Sequence, residues 1–123
     1  MNIVDSSGWL EYFAEGKHAS FFAPAVTKTA ALIVPTVSLY EVFKRVHQQR
    51  GESEALVAVA LMEQGAVVDL DATIALSAAR ISVEMKLPMA DSIMLGTARH
   101  HEAVLWTQDV DFEGFEGVRY VSA

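Results

Sequence analysis

The sequence contains no cysteine, so disulfide bonds and thiolate metal sites are excluded. Any bound metal must rely on oxygen or imidazole ligands, which favours hard cations. The chain also lacks an apolar run of the roughly 18 residues that a membrane span requires. Its first ten residues, MNIVDSSGWL, contain no basic segment of the kind that begins a secretory signal. We therefore expect an unprocessed, soluble protein of the cytoplasm.

Positive charge is scarce, because 9 Lys and Arg residues stand against 16 Asp and Glu residues and give a formal net charge of −7. Nucleic-acid phosphates are normally contacted by Lys and Arg, so this balance disfavours an RNA-binding protein unless the acids are concentrated in one place. The length of 123 residues, with 52% hydrophobic content, suits one domain with one core. We expect residues 1–123 to form that single domain.

Short apolar runs alternate with longer amphipathic runs along the chain. The predicted strands are 2–5, 32–34, 66–70, 103–106 and 118–121. The predicted helices are 7–14, 19–29, 37–50, 53–64, 72–85 and 90–100. This alternation predicts a largely parallel sheet with helices on both faces. Functional groups in such sheets collect at the carboxyl ends of the strands.

Four acids fall at this predicted edge of the sheet. Asp5 closes the first strand, and Glu41 lies in the helix that follows the second strand. Asp91 lies in the first turn of the predicted helix 90–100, within ADSIMLGTARHH. Asp109 follows the fourth strand, in TQDVDF. The sequence therefore predicts that the four carboxylates converge.

Each acid also has a purely structural explanation. Asp5 and Asp91 suit the positive end of a helix dipole. Ser38 with Glu41 fits the capping-box pattern S-x-x-E. Asp111, two residues beyond the fourth acid, suits a cap of the short turn that follows it.

Bringing four carboxylates together costs free energy, and the capping and helix-dipole roles do not account for this cost. Two carboxylates about 4 Å apart repel by roughly 4 kcal/mol at an effective dielectric of 20, so a cluster requires protons or bound cations. Mg²⁺ prefers oxygen ligands, keeps several waters and commonly binds substrate phosphates together with one or two carboxylates. The pattern therefore predicts a phosphoryl-transfer site that uses a divalent metal.

Three stretches of the chain resemble the PIN-domain nucleases, and among them most closely the VapC toxins of bacterial and archaeal toxin–antitoxin pairs. IVDSSGWLEYF is similar to the family's first strand with its acid, and VSLYEVFKRV is similar to its acidic helix start. LPMADSIMLGTARHHEAVLWTQDVDF is similar to its most specific stretch, which ends in T-x-D-x-D-F. The similarity spans essentially the whole chain. It implies a PIN-domain three-layer α/β/α sandwich with a mostly parallel sheet of about five strands.

By that resemblance, Asp5, Glu41, Asp91 and Asp109 form a catalytic acidic quartet that holds Mg²⁺ or Mn²⁺. Asp5 and Asp91 are implied as the principal ligands. There are three secondary candidates. Thr107 would orient the last acid, and Ser7 would add a hydroxyl contact. Asp111 is a weaker candidate with a mainly structural role. The implied activity is endonucleolytic hydrolysis of RNA by in-line attack of water, which leaves 5′ phosphate and 3′ hydroxyl ends.

The resemblance also implies partners, namely a VapB-like antitoxin encoded nearby and a second copy of the chain in a homodimer. The first helix pair is rich in aromatic residues, which suits a groove for an amphipathic antitoxin peptide even if some of them line the core. These residues are Trp9, Tyr12, Phe13, Phe21 and Phe22. In this hypothesis the antitoxin brings a Lys or Arg toward the acidic quartet.

Setting the quartet aside changes the formal charge from −7 to −3, which leaves RNA contact to local basic residues. The candidates for contact with the RNA backbone are Lys44, Arg45, Arg50, Lys86 and Arg99. An ordinary solvated helix face explains the first three equally well. Both interpretations stay open on the sequence alone.

Two other classes of protein place acids at the strand ends of a similar sheet. A phosphorelay receiver binds Mg²⁺ but needs a lysine near its last strand, and the only Lys or Arg after Arg99 is Arg119. A phosphatase with an aspartyl nucleophile requires a second acid two residues after Asp5, where Ser7 stands. A catalytically inactive PIN-like binding module is disfavoured by the complete quartet but is not excluded.

Overall fold

The computed structural model describes residues 1–123, which form a five-stranded sheet covered by helices. The strands are β1 (Asn2–Val4), β2 (Leu32–Pro35), β3 (Ala66–Val68), β4 (Val104–Thr107) and β5 (Val118–Tyr120). Their order in the sheet is β3-β2-β1-β4-β5, and all four pairings are parallel. The predicted α/β sandwich is confirmed, with a sheet that is parallel throughout.

Six α-helices connect these strands. They are α1 (Ser6–Phe13), α2 (Ala19–Thr27), α3 (Thr36–Arg50), α4 (Glu52–Met62), α5 (Ala72–Met85) and α6 (Met89–His100). Every predicted helix is present, and each observed end lies within two residues of its predicted position. None of the helices combines the length and the apolar character needed to cross a membrane.

Successive strand residues point to opposite faces of the sheet, as the pleat requires. Val4, Val34 and Trp106 belong to a core shared with α1, α2, α3 and α4. Their neighbours along the strands belong to a second core shared with α5 and α6, and these are Ile3, Ile33 and Leu105. The three central strands are therefore apolar on both faces, which explains why their sequences are short continuous apolar runs.

The predicted bounds differ from the observed ones by one or two residues in most segments, and for two segments that end early the structure shows the reason. The predicted strand 66–70 stops at Val68, because Val68 pairs with Pro35 and β2 ends there. The predicted helix 19–29 ends at Thr27, where Lys28 leaves the helical conformation with φ −88° and ψ 71°. A short 3₁₀ turn, Thr29–Ala31, then leads into β2.

The sheet has a topological switch point between β1 and β4. The first three strands extend the sheet in one direction, and β4 then returns to pair with the other side of β1. The loops that leave β1 and β4 consequently diverge and open a crevice at the carboxyl ends of these strands. Asp5 and Asp109 lie directly at this crevice, one residue after β1 and two residues after β4.

Candidate active site

Asp5 is the innermost acid of the crevice and is only 5% exposed. It is the N-cap residue of α1, with an extended backbone, but its side chain makes no capping bond to that helix. Its Oδ2 atom instead accepts hydrogen bonds from Ser7 Oγ at 2.9 Å and from Thr107 Oγ1 at 3.0 Å. Two hydroxyl groups therefore hold the carboxylate in one orientation.

Thr107 connects Asp5 with the next acid along the edge. Its hydroxyl is fully buried, and it also accepts a hydrogen bond from the Asp109 backbone N–H at 2.9 Å. Asp109 Oδ1 in turn accepts from the Asp111 backbone N–H at 2.9 Å and thereby caps the 3₁₀ turn Val110–Phe112. The cap of this turn is therefore Asp109, and the structural role predicted for Asp111 as the cap is wrong.

Asp91, Asp109 and Asp111 form the tightest group of acids in the crevice. One carboxylate oxygen from each residue lies within 4.8 Å of the others. Asp91 lies in the first turn of α6 and is half-buried, whereas Asp111 is exposed. Asp111, the weaker candidate from sequence, thus belongs to the same group as Asp91 and Asp109.

Glu41 approaches the crevice from α3 and is linked to it through Ser6. Ser6 Oγ donates a hydrogen bond to Glu41 Oε1 at 2.6 Å. The predicted capping box of Ser38 and Glu41 is wrong, because α3 begins at Thr36 and Ser38 already lies inside its first turn. The buried Ser38 hydroxyl donates to Met94 Sδ at 3.7 Å, so neither side chain caps the helix.

Burial and mutual repulsion raise the pKa values of the two inner acids. The pKa of Asp5 is raised by desolvation, although hydrogen bonds from Ser7, Thr107 and the Ser6 backbone oppose this effect. The pKa of Asp91 is raised to about 7 by desolvation, then by the charges of Asp109 and Asp5 and by a hydrogen bond with Asp111. No lysine or arginine is among the main causes of either shift in pKa.

The donor set of the crevice fits a divalent metal ion. The convergent ligand atoms are carboxylate oxygens, which Mg²⁺ and Mn²⁺ prefer. Desolvation, and after it the charges of Asp109 and Asp5, raise the pKa of Asp91 to about 7, so without a cation the protonated form of this acid is favoured below that pH. A bound cation would relieve the same repulsion without that proton. Asp5, Asp91, Asp109 and Asp111 are the residues that could hold it.

The cation-free protein is expected to lose stability as the pH rises. The pKa of Asp91 is higher in the folded protein than its ordinary value of 3.8, so the folded state binds more protons than the unfolded chain between about pH 4 and pH 7. The free energy of unfolding therefore falls through this window. Asp91→Asn should remove the loss and be more stable than the native protein at pH 8 by about 1 to 2 kcal/mol, after allowance for solvent screening.

Urea unfolding in EDTA at about pH 4 and about pH 8 measures this difference. The matched control is Asp69→Asn, since Asp69 is an exposed acid that follows β3 at the same sheet edge. Equal pH dependence in Asp91→Asn and in the native protein would show that Asp91 does not carry the effect.

A groove of about 450 Å³ begins beside the acids and runs between α1, α3 and α4. Ser7 and Gln108 line its end near the crevice, and Leu10, Val57 and Leu61 are among its apolar lining residues. Gln108 was not selected from the sequence, although it lies between Thr107 and Asp109. Its Oε1 atom is buried without a hydrogen-bond partner, which makes it a free acceptor next to the acids.

Of the five aromatic residues of α1 and α2 that the sequence predicted for a peptide groove, Phe13 alone lines this groove. Trp9 is 2% exposed and Phe22 is fully buried, and both belong to the core under α1 and α2. The other three aromatics are half-buried against the same core, and these are Tyr12, Phe13 and Phe21. The prediction of a peptide surface on this helix pair is therefore wrong for Trp9 and Phe22.

The family model of the PIN domain matches residues 3–117 of this sequence. The chain belongs to the PIN domain family. The match includes all five acids of the crevice, from Asp5 to Asp111. The expectation from the three resembling stretches is thereby confirmed at the level of family and fold.

Solved structures share the PIN domain architecture at low sequence identity. A toxin–antitoxin complex from Klebsiella pneumoniae matches with a TM-score of 0.81 and 21% identity, covering 97% of this chain and 96% of that chain. VapC20 of Mycobacterium tuberculosis, described as a toxin that cleaves the sarcin-ricin loop, matches with a TM-score of 0.76 and 19% identity, covering 97% and 99%. DNA-bound VapBC from Salmonella typhimurium matches with a TM-score of 0.75 and 18% identity, covering 98% of each chain. No curated protein sequence gives a significant match to this PIN domain.

Proposed function

We propose that this PIN domain, residues 1–123, is a metal-dependent endoribonuclease that hydrolyses phosphodiester bonds. The observation that carries the proposal is the convergence of Asp91, Asp109 and Asp111 within 4.8 Å, beside the buried Asp5, whose charge contributes to the raised pKa of Asp91. Such a cluster is costly in the absence of a ligand, and its position at the switch point is where substrates bind in open α/β sheets. Family membership supports the same activity.

In this proposal Mg²⁺ or Mn²⁺, when bound, supplies the positive charge that stabilises the phosphoryl oxygens. Asp5 and Asp91 hold the cation, and Asp109 adds a further carboxylate. Asp111, which lies in the same group, is a fourth ligand candidate. Glu41 stands apart from this group, tied to Ser6, so its free oxygen is suited to orienting the attacking water.

The reaction forms a bond between the water oxygen and phosphorus and breaks the bond from phosphorus to the 3′ oxygen. The proton released by the water passes to a carboxylate of the crevice, and the leaving 3′ oxygen takes a proton from solvent. The products carry a 5′ phosphate and a 3′ hydroxyl. No 2′-hydroxyl attack is involved, so a cyclic phosphate is not formed.

RNA cleavage is expected only when a divalent metal is present. Purified protein incubated with unstructured RNA should cleave it in millimolar Mg²⁺ or Mn²⁺ and should lose all cleavage in excess EDTA. Re-addition of metal should restore activity, and end-group analysis of the products should find 5′ phosphates. Cleavage that persists in excess chelator would falsify the metal-dependent mechanism. A receiver domain or an inactive binding module would show no cleavage under any of these conditions.

The physiological role that we propose is that of the toxin in a type II toxin–antitoxin pair of the VapBC type, acting on RNA in the cytoplasm. The solved structures named above include a toxin–antitoxin complex and a toxin that cleaves an RNA loop, and they support this role by their common fold. The partners would be a VapB-like antitoxin encoded nearby and a second copy of the chain.

The groove between α1, α3 and α4 is the surface that best suits the antitoxin. Its apolar residues Val57 and Leu61 are 60% and 46% exposed, which leaves them available to an amphipathic peptide. Ser7 and Gln108 at its end place a bound peptide next to the acids. A basic side chain of that peptide could then reach the metal ligands and compete with the cation.

A further inference from the structure

Helix α5 has an apolar outer side in addition to the side that it buries. Leu76 is 62% exposed and Val83 is 80% exposed. The buried side of the helix consists of Ile74, Ala78 and Ile81. Because consecutive helix residues are rotated by about 100°, Leu76 and Val83 lie opposite that buried side. The helix is therefore apolar on two opposite sides, whereas an ordinary surface helix is apolar on one.

The outer side of α5 contains a shallow hollow of about 370 Å³. All of its lining residues belong to this one helix, and they are Leu76, Ala79, Arg80, Val83 and Glu84. Ala79 lies between Leu76 and Val83, and its small side chain leaves the space between the two larger ones open. A second helix fits such a space, because the side-chain ridges of one helix pack into the grooves of another.

The two charged residues of this hollow suit a second copy of the same surface. Arg80 and Glu84 are both exposed and lie one helical turn apart on one side of the apolar stripe. Their charges cancel, so two copies of α5 can approach without the repulsion that the net charge of −7 causes between whole chains. A surface that carries both members of a complementary pair is what a two-fold symmetric interface requires.

An antiparallel pair of α5 helices satisfies the apolar and the charged residues together. With the two-fold axis between Ala79 and Arg80, Leu76 meets Val83 of the partner subunit, and symmetry gives the reverse contact. Arg80 and the partner's Glu84 are then offset by five residues, or about 7.5 Å along the helix axis. Side chains lean toward the N-terminus of their own helix, which in antiparallel helices moves these two groups toward each other. A parallel pair would instead place Arg80 level with Arg80 of the partner subunit.

We propose that α5 binds α5 of a second copy of the chain as an antiparallel helix pair, in which Arg80 and the partner's Glu84 set the register. This inference rests on the second copy named in the proposed function and assigns that copy to a surface. Ile81 of α5 belongs to the core shared with α6, so the pair forms across the sheet from the groove between α1, α3 and α4. Loss of the pair therefore leaves the groove unchanged.

Charge reversal tests the pairing of Arg80 with the partner's Glu84. Arg80→Glu opposes two acids at both symmetric positions, and Glu84→Arg opposes two bases there. Each variant alone should therefore dimerise about 30-fold more weakly than the native protein, as measured by analytical ultracentrifugation. An equimolar mixture of the two variants should regain the native affinity, because the introduced acid of one chain then faces the introduced base of the other.

Two further variants test the apolar contact and control for charge. Val83→Asp should weaken dimerisation by about 100-fold or more, because its carboxylate must be desolvated against the partner's Leu76. Lys28→Glu makes the same change in charge as Arg80→Glu, at an exposed residue that follows α2 on the other side of the sheet, and should have no effect. Thermal unfolding of each variant verifies that it is folded.

Three results would overturn the inference. They are a native protein that stays monomeric, charge variants that dimerise as well as the native protein, and a mixture that pairs no better than either variant alone. The samples contain neither RNA nor a divalent metal, so these results are independent of the ribonuclease activity. The self-pairing of α5 can therefore fail while the native protein still cleaves RNA, and it can hold while cleavage fails.

Discussion

Asp5→Asn is expected to lower kcat/KM for RNA by about 1000-fold or more while the protein remains folded. The substitution removes the charge of the most buried acid, and a lost metal contact of several kcal/mol corresponds to about this factor. The fold should tolerate the change, because the amide oxygen can still accept the hydroxyl groups of Ser7 and Thr107. Asp91→Asn is expected to have the same effect, since it removes the half-buried acid at the start of α6.

Cleavage rates and thermal unfolding of the variants, measured side by side, check this prediction. Asp69→Asn is the matched control and should cleave at the native rate, because Asp69 is exposed beyond β3 and outside the acid cluster. Near-native turnover by Asp5→Asn would remove Asp5 from the proposed ligands. The same measurement on Asp111→Asn decides whether this acid contributes to activity as its position suggests.

Leu61→Asp should weaken the complex with the co-expressed antitoxin about 100-fold and leave RNA cleavage unchanged. A carboxylate placed in the apolar part of the groove must be desolvated when a peptide covers it, and this costs about 2 to 3 kcal/mol. Leu61 is 46% exposed, so the variant folds without burying the new charge. Titration calorimetry with the product of the adjacent upstream gene measures the change in affinity.

The control for this variant is Leu76→Asp, which places the same charge on α5, across the sheet from the groove. It should bind the antitoxin with native affinity. If both variants bind equally well, the antitoxin uses another surface, and the assignment of the groove fails while the nuclease activity is unaffected.

The fold was predictable because its three central strands, β1, β2 and β4, are buried on both faces. Such strands appear as short continuous apolar runs, and the amphipathic helices between them leave no other architecture than a covered parallel sheet. Asp5 and Asp109 could then be brought together from sequence, because each follows a strand at the same edge. Asp91 joined them because a helix that leads into β4 must begin at that edge.

The remaining details depend on turns and on packing, which periodicity does not specify. The closeness of Asp111 to Asp91 results from the 3₁₀ turn that Asp109 caps, and a pattern of two acids in T-x-D-x-D-F does not reveal that turn. The burial of Trp9 depends on how α1 lies against the sheet. A helix of eight residues with apolar groups on several sides does not show which of them face the core.

The first turn of α1 also couples the groove to the acids, because its residues contact both. Ser6 donates a hydrogen bond to Glu41, and the next residue, Ser7, donates one to Asp5. A small displacement of this turn therefore changes the positions of both carboxylates together. Ser7 lines the groove as well. A ligand seated there that favours a shifted position of α1 would reduce activity allosterically, by changing the population of the competent arrangement, without occupying the place of the metal or the RNA.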